Sequence, residues 1–254
     1  MKLRAFVLVS ILLFSASTLL AQHTLTDGMD KNLKGDVRSV LLTTRNSKNQ
    51  VMGQPVRYMF DSKGNFEHVH FFDTAGNLAI TVHYQYNKKG QLVSDTRLLE
   101  PFSQLMGVSN YTYNKKNRTL TAELLLMDDT LTIKTIYTYD KKGNEIEVVN
   151  IDEFGKDINR AVKVYDENNR LKFVTFFYGE NNLYKGETHY RYDTDGLLVE
   201  ELELNRIRVD LSHRVLYNYE YDEKGNWIKC YGYYVTPTSA ELVQVVTRTI
   251  NYQD

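Results

Sequence analysis

Hydrophobic and polar residues alternate along most of this chain in short runs, and each run is broken by a polar cluster containing Gly or Asn. Alternation with period two predicts β-strands with one face toward a core. The clusters read as turns. Seven of them form a series beginning at Asp61, Asn87, Asn114, Asp140, Asp166, Asp193 and Asp222, so the steps are 26, 27, 26, 26, 27 and 29 residues. Most are entered through a Tyr-x-Tyr pair such as Tyr84 and Tyr86, Tyr137 and Tyr139, or Tyr219 and Tyr221. The Gly or Asn three positions on is Gly64, Gly90, Asn117, Gly143, Asn169, Gly196 or Gly225.

The turn chemistry follows from these residue types. Asp or Asn at the first position can accept a hydrogen bond from its own backbone two residues on, and Gly or Asn supplies the positive φ that closes the turn. Such a turn reverses an antiparallel hairpin. Weaker turns lie midway between many copies, as at Asp73 to Asn77, Asp128 to Thr130, Asp152 to Lys156 and Gly179 to Asn182. Each repeat is therefore two strands and two turns, and Val37 to Tyr252 accommodates about 16 strands of ordinary length.

Simple pairing across the first turns sets Phe60 opposite Phe66, Tyr58 opposite His68, Val56 opposite His70 and Tyr84 opposite Ser94, with all of these on the core face. Arg57, Glu67, His83, Asp95 and Arg97 then fall on the wet face. After Asn114, Asp140 and Asp152 the first apolar residue comes one place later, which predicts a longer turn or a bulge there. From Val162 to Phe177 both faces carry apolar residues, so that stretch is expected to be covered on both sides. No helical period exists in the mature sequence to cover the apolar face. The fold class expected is all-β, a long antiparallel meander curled into a barrel or flattened barrel that buries its Tyr and Phe rows and removes its edges.

The seven copies resemble the repeat of the YD-repeat, or RHS-like, proteins and cover residues 58 to 226. Large members of that family wind such repeats into hollow β shells, and short secreted bacterial members resemble porin-like barrels. The resemblance implies a β architecture and supplies no catalytic residues. This chain lacks room for a shell's cargo, and no Asp-Pro-x-Gly-Leu type motif ends the repeats.

The first residues form an address. Lys2 and Arg4 precede an apolar run from Ala5 to Phe14, followed by small residues up to Ala21. These are the parts of a secretory signal peptide, with cleavage after Ala21 or after Ser17. The run is short of the ~20 residues a spanning helix needs. Residues 1–21 are thus read as signal, 22–32 as a polar leader and 33–254 as the repeat domain. The expected location is secreted or periplasmic, in the bacterial cell envelope, with no transmembrane span after cleavage.

Composition narrows the function classes. A formal charge of -1 excludes a generally basic nucleic-acid surface, and a single Cys excludes a disulfide framework or a cysteine-ligated metal cluster. Charges in mid-strand on the wet face, among them Arg57, Glu67, Glu201 and Glu203, argue against a lipid-facing band. The Lys pairs at 88–89, 115–116 and 141–142 read as solubilising turn tips. No nucleophile with its base, phosphate loop or calcium loop is visible.

Two candidate sites remain. The residue opposite the first Tyr of a repeat is polar in five places, His68, Ser94, Thr121, Glu200 and Lys229. Either these satisfy buried hydroxyls or they form a polar track beside Tyr190 and Tyr219 on which sugar rings stack. His68 and His70 alternate on one strand and share a face; they are core residues bonded to tyrosines or the start of a metal site, for which two ligands do not suffice. The function expected is non-enzymatic and without cofactor, acting by binding or envelope architecture, with a glycan or an envelope protein as partner.

Overall fold

The structure, a computed structural model, describes residues 33–127, 131–179, 181, 183–204 and 213–253. The expected signal, the leader and the turn at Asp128 to Thr130 lie outside the described residues, as does part of the turn at Gly179 to Asn182. The chain divides into two units, Met1–Gly35 and Asp36–Asp254, and the strands belong to the second.

The strands are β1 (Val37–Asn46), β2 (Val51–Phe60), β3 (Phe66–Phe72), β4 (Leu78–Tyr86), β5 (Leu92–Leu99), β6 (Gln104–Asn114), β7 (Thr119–Leu126) and β8 (Leu131–Tyr139). They continue as β9 (Glu145–Ile151), β10 (Asp157–Tyr165), β11 (Leu171–Tyr178), β12 (Leu183–Tyr192), β13 (Leu198–Leu204), β14 (His213–Tyr221), β15 (Trp227–Val235) and β16 (Ala240–Tyr252). Each pairs antiparallel with its sequence neighbours, and β16 returns to β1 to close the barrel. The all-β meander of 16 strands read from the sequence is the fold observed, with no helix among the described residues.

The repeat turns are built as their residue types dictate. At Asp61 the carboxylate accepts from the backbone N–H groups of Lys63 (2.8 Å) and Asn65 (2.9 Å), and Gly64 takes φ +81. The same pattern recurs at Asp140, Asp166, Asp193 and Asp222. At Asn114 the turn is one residue longer: Asn114 pairs with Thr119, and Arg118 holds the positive φ of +53.

Strand register departs from simple pairing in one systematic way. Phe60 pairs with Phe66, but Met59 pairs with His68, so Glu67 is an extra residue. Equivalent shifts follow the turns at Asp73, Asn87, Asp140, Asp152, Asp166, Asp193 and Asp222. Of the three places where a longer turn or a bulge was expected, Asn114 has the longer turn and Asp140 and Asp152 have the bulge, which the turns at Asp61, Asp73, Asn87, Asp166, Asp193 and Asp222 share. An inserted residue bends its strand and increases local twist, which a closing sheet requires.

Each bulge exchanges the two faces of the strand that follows it. Tyr58 stands opposite Val69, Tyr84 opposite Asp95, Tyr111 opposite Ala122, Tyr190 opposite Glu201 and Tyr219 opposite Cys230. The inward face includes Val40, Leu42, Val56, Tyr58, Val69, Val82, Leu124, Val148, Val174, Tyr217 and Val246, all buried. Phe66 bridges Tyr58 and Tyr84 at ring separations of 5.4 and 6.2 Å. Around Val162 to Phe177 the outward apolar residues are met by long neighbours on their own face: Arg160 lies over Phe177 at 5.7 Å, and His189 lies 5.3 Å from Phe173.

Candidate functional site

The inward face carries a polar system that simple register concealed. Asp95, expected on the wet face, is 1% exposed. It accepts from Arg97 Nε at 3.1 Å and from the Tyr111 hydroxyl at 2.7 Å, while Arg97 reaches Ser109 Oγ at 3.3 Å. Farther round, Thr135 donates to Asn150 and Asn150 to Asn159, both at 2.7 Å. Lys163, also buried, donates to Glu145 at 2.5 Å. The Tyr217 hydroxyl donates to Glu201 at 3.1 Å. Burial raises the hydroxyl pKa of Tyr84, Tyr111 and Tyr217, and pushes Tyr137 up to about 12. These donors and acceptors are used on one another, so the polar groups set among the apolar residues of the inward face are satisfied within the barrel.

The residues expected to make a sugar-binding track are separated. Tyr190 and Tyr219 point inward, and the Tyr219 hydroxyl donates to the Leu198 carbonyl at 2.7 Å. Glu200 and Lys229 point outward. Glu200 accepts from Arg191 and Arg214, each at 2.7 Å, which holds its carboxyl below the usual range. Lys229 pairs with Glu220 at 3.0 Å. The bulges at Val199 and Ile228 are the reason, since each moves the residue opposite the tyrosine one place along.

His68 and His70 are likewise corrected from core to outer face. Met59 and Arg57 stand opposite them on β2, and His83 stands opposite His68 on β4. His83, expected on the other side of the sheet from this pair, joins it. The His68 and His83 rings lie 4.5 Å apart edge to face, and the His68 and His70 rings stack at 6.3 Å. Glu67 Oε1 is 3.7 Å from His68 Nε2. Next to them Thr81 donates to Glu100 at 3.0 Å. Burial first, and then the neighbouring His68, lower the pKa of both His70 and His83.

Ion pairs cross the outer face of several other strands in mid-strand. Arg160 meets Glu147 at 2.6 Å and Lys134 meets Glu123 at 3.1 Å. At the end of the barrel where the repeat turns lie, charge is unevenly divided. Three adjacent turns carry Lys88, Lys89, Lys115, Lys116, Lys141, Lys142 and Arg118 against Asp140 alone. The next three carry Asp166, Glu167, Asp193, Asp195, Asp222 and Glu223 against Arg170 and Lys224. All six lysines are exposed. The paired-lysine motif was legible in the sequence, but its gathering on one arc follows only from barrel order.

The fold and these surfaces define a closed antiparallel barrel with hydrogen-bonded polar groups among the apolar residues of its inward face and ion pairs on its outer face. No family model matches the chain, and no curated protein does. Among solved structures it is similar to a porin-like protein from Bacteroides uniformis, at 11% identity and a TM-score of 0.39, covering 86% of this chain and 98% of that one. A porin-like protein from Bacteroides vulgatus matches at 12% and 0.39, over 85% and 98%. TcdB2-TccC3 without its hypervariable C-terminal region matches at 14% and 0.35, over 80% of this chain and 14% of that one. Similarities this distant assign no activity, ligand or compartment to the chain.

Proposed function

We propose that this chain is a short exported YD-repeat-like protein of the bacterial envelope, a non-enzymatic barrel that faces water on its outside and acts by binding or by envelope architecture. The ion pairs placed in mid-strand on the outer face carry this reading. A barrel wall in lipid needs an apolar band, and an Arg or Lys at the bilayer midplane costs about 2–4 kcal/mol. Arg160 and Lys134, each at the middle of its strand, would incur that cost. The interior supports the same reading, because Asp95, Glu145 and Lys163 are engaged with partners on their own or the adjacent strand. The seven like turns, each closing a hairpin of the same barrel, support the family resemblance.

Cell fractionation and bilayer conductance test the proposal. The mature protein should appear in the periplasmic or culture fraction without detergent and should give no conductance steps in planar bilayers. Recovery only from detergent-extracted outer membrane, with conductance, would overturn it.

A further inference from the structure

We propose that His68, His70 and His83 form a binding site for a divalent transition-metal ion, most suitably zinc, on the outer face of β3 and β4. The inference goes beyond the envelope reading and does not rest on it.

Its basis is the sheet geometry. Two histidines at alternate positions of one strand and a third directly opposite on the next strand project from one face within reach of each other. The ring separations of 4.5 and 6.3 Å place all three in one cluster. Three imidazoles are a sufficient protein ligand set for zinc, whose fourth position is taken by a carboxylate or water. Carboxylates stand on both flanks, Glu67 beside His68 and Glu100 on the Thr81 hydroxyl next to His70.

A second observation comes from His68 itself. Its Nδ1 is buried and has no hydrogen-bond partner. A buried polar atom left unsatisfied is costly, and an imidazole nitrogen in its unprotonated tautomer can satisfy that need by ligating a metal.

Among the described residues no three such side chains already meet at a common point. Convergence requires the His70 and His83 rings to turn about χ1 and χ2. Both are only partly buried on an open sheet face, where a change of rotamer well is inexpensive. The backbone, which side-chain rotation leaves in place, already supplies the spacing.

Calorimetric titration of the untagged, chelator-stripped mature chain with Zn2+ alone provides the test, with bound metal counted by elemental analysis. One ion per chain is expected. His83→Ala should weaken binding more than about 100-fold, since loss of even an outer hydrogen-bonding partner of a ligand costs 10–100-fold. His68→Ala/His70→Ala should abolish it, and His189→Ala, on distant β12, should leave it unchanged. Circular dichroism reports whether each variant is folded; His83→Gln removes the ligand with a polar side chain retained and serves if alanine unfolds the barrel. Absence of stoichiometric uptake by the wild type, or uptake that His83→Ala and His83→Gln leave intact, would overturn the proposal.

Discussion

Asp95 shows what a one-residue displacement does to a side chain's chemistry. In simple register it would be a solvated carboxylate; in the barrel it is the buried hub that joins Arg97 and Tyr111. Removing one partner of such a pair leaves the other charge buried and uncompensated. Asp95→Ala should therefore lower unfolding free energy by about 3–5 kcal/mol in urea titrations. Glu123→Ala, which breaks the exposed pair with Lys134, should cost no more than about 1 kcal/mol. Equal effects would show that Asp95 is hydrated after all. Glu201 makes stability depend on pH. Burial, followed by the charge of Glu203, raises its pKa against the lowering effect of the Tyr217 hydrogen bond. Below the unfolded value both states hold the proton and Glu201 contributes nothing. As pH rises past it the unfolded chain releases its proton first, so folding loses stability until the raised folded pKa is passed. Glu201→Gln should be more stable than wild type at pH 7, with the gain vanishing below about pH 4. A gain that grows on acidification would contradict this sign.

Among the elements, the repeat turns were the most legible and the bulges the least. Asp or Asn followed three places later by Gly or Asn names its own hydrogen bonds and its own positive φ, and the hairpins form where those residues stand. The bulge positions are occupied by Glu67, Ala79, Val93, Ile146, Ile158, Lys172, Val199 and Ile228, acidic, basic and aliphatic residues alike. A bulge is set by the twist the closed sheet demands, and no single side chain encodes it. A faint signal did exist in spacing: Phe66, Val69 and Phe71 are three and then two apart, as are Leu171, Val174 and Phe176. The candidate sites failed or changed for that reason alone, because Glu200 and Lys229 left the tyrosine face while His83 joined His68 and His70. Turn chemistry itself can be tested at Gly196, which has φ +84 and open space where a Cβ would lie. Gly196→Ala should cost about 1–2 kcal/mol through backbone strain alone. Gly196→Asn should cost less, as Asn169 holds the equivalent position at φ +59. A larger loss for Asn than for Ala in the same chemical denaturation would refute the turn argument.

For the whole molecule, the barrel order arranges charges that are scattered in sequence. Neighbouring strands stand about 4.8 Å apart, so successive repeat turns along the rim are about 10 Å apart. The six lysines then form three pairs on one arc, and the acidic turns face away on the next arc. If the partner is a glycan, this arc suits an acidic chain better than the inward tyrosines do, since the field of clustered like charges concentrates an anionic polymer. The mature protein should be retarded in affinity electrophoresis through alginate at low salt and released at about 0.15 M, where the Debye length falls to about 8 Å. Lys88→Glu/Lys89→Glu/Lys115→Glu/Lys116→Glu should abolish the retardation. Retardation that survives the fourfold reversal would assign the binding elsewhere on the barrel.

The seam between β1 and β16 sets a condition on time. It joins Val40 to Ile250 and Leu42 to Arg248, residues more than 200 positions apart in the chain. Every other strand can pair with the one made just before it, whereas β1 must wait for the last strand to be delivered. A sheet built from the N-terminus onward therefore carries two open edges until β16 is made. Closing it carries the largest loop-closure cost in the molecule, because the loop it shuts is nearly the whole barrel. Until that seam forms, β1 and the newest strand each present an unpaired row of backbone groups to any other chain nearby.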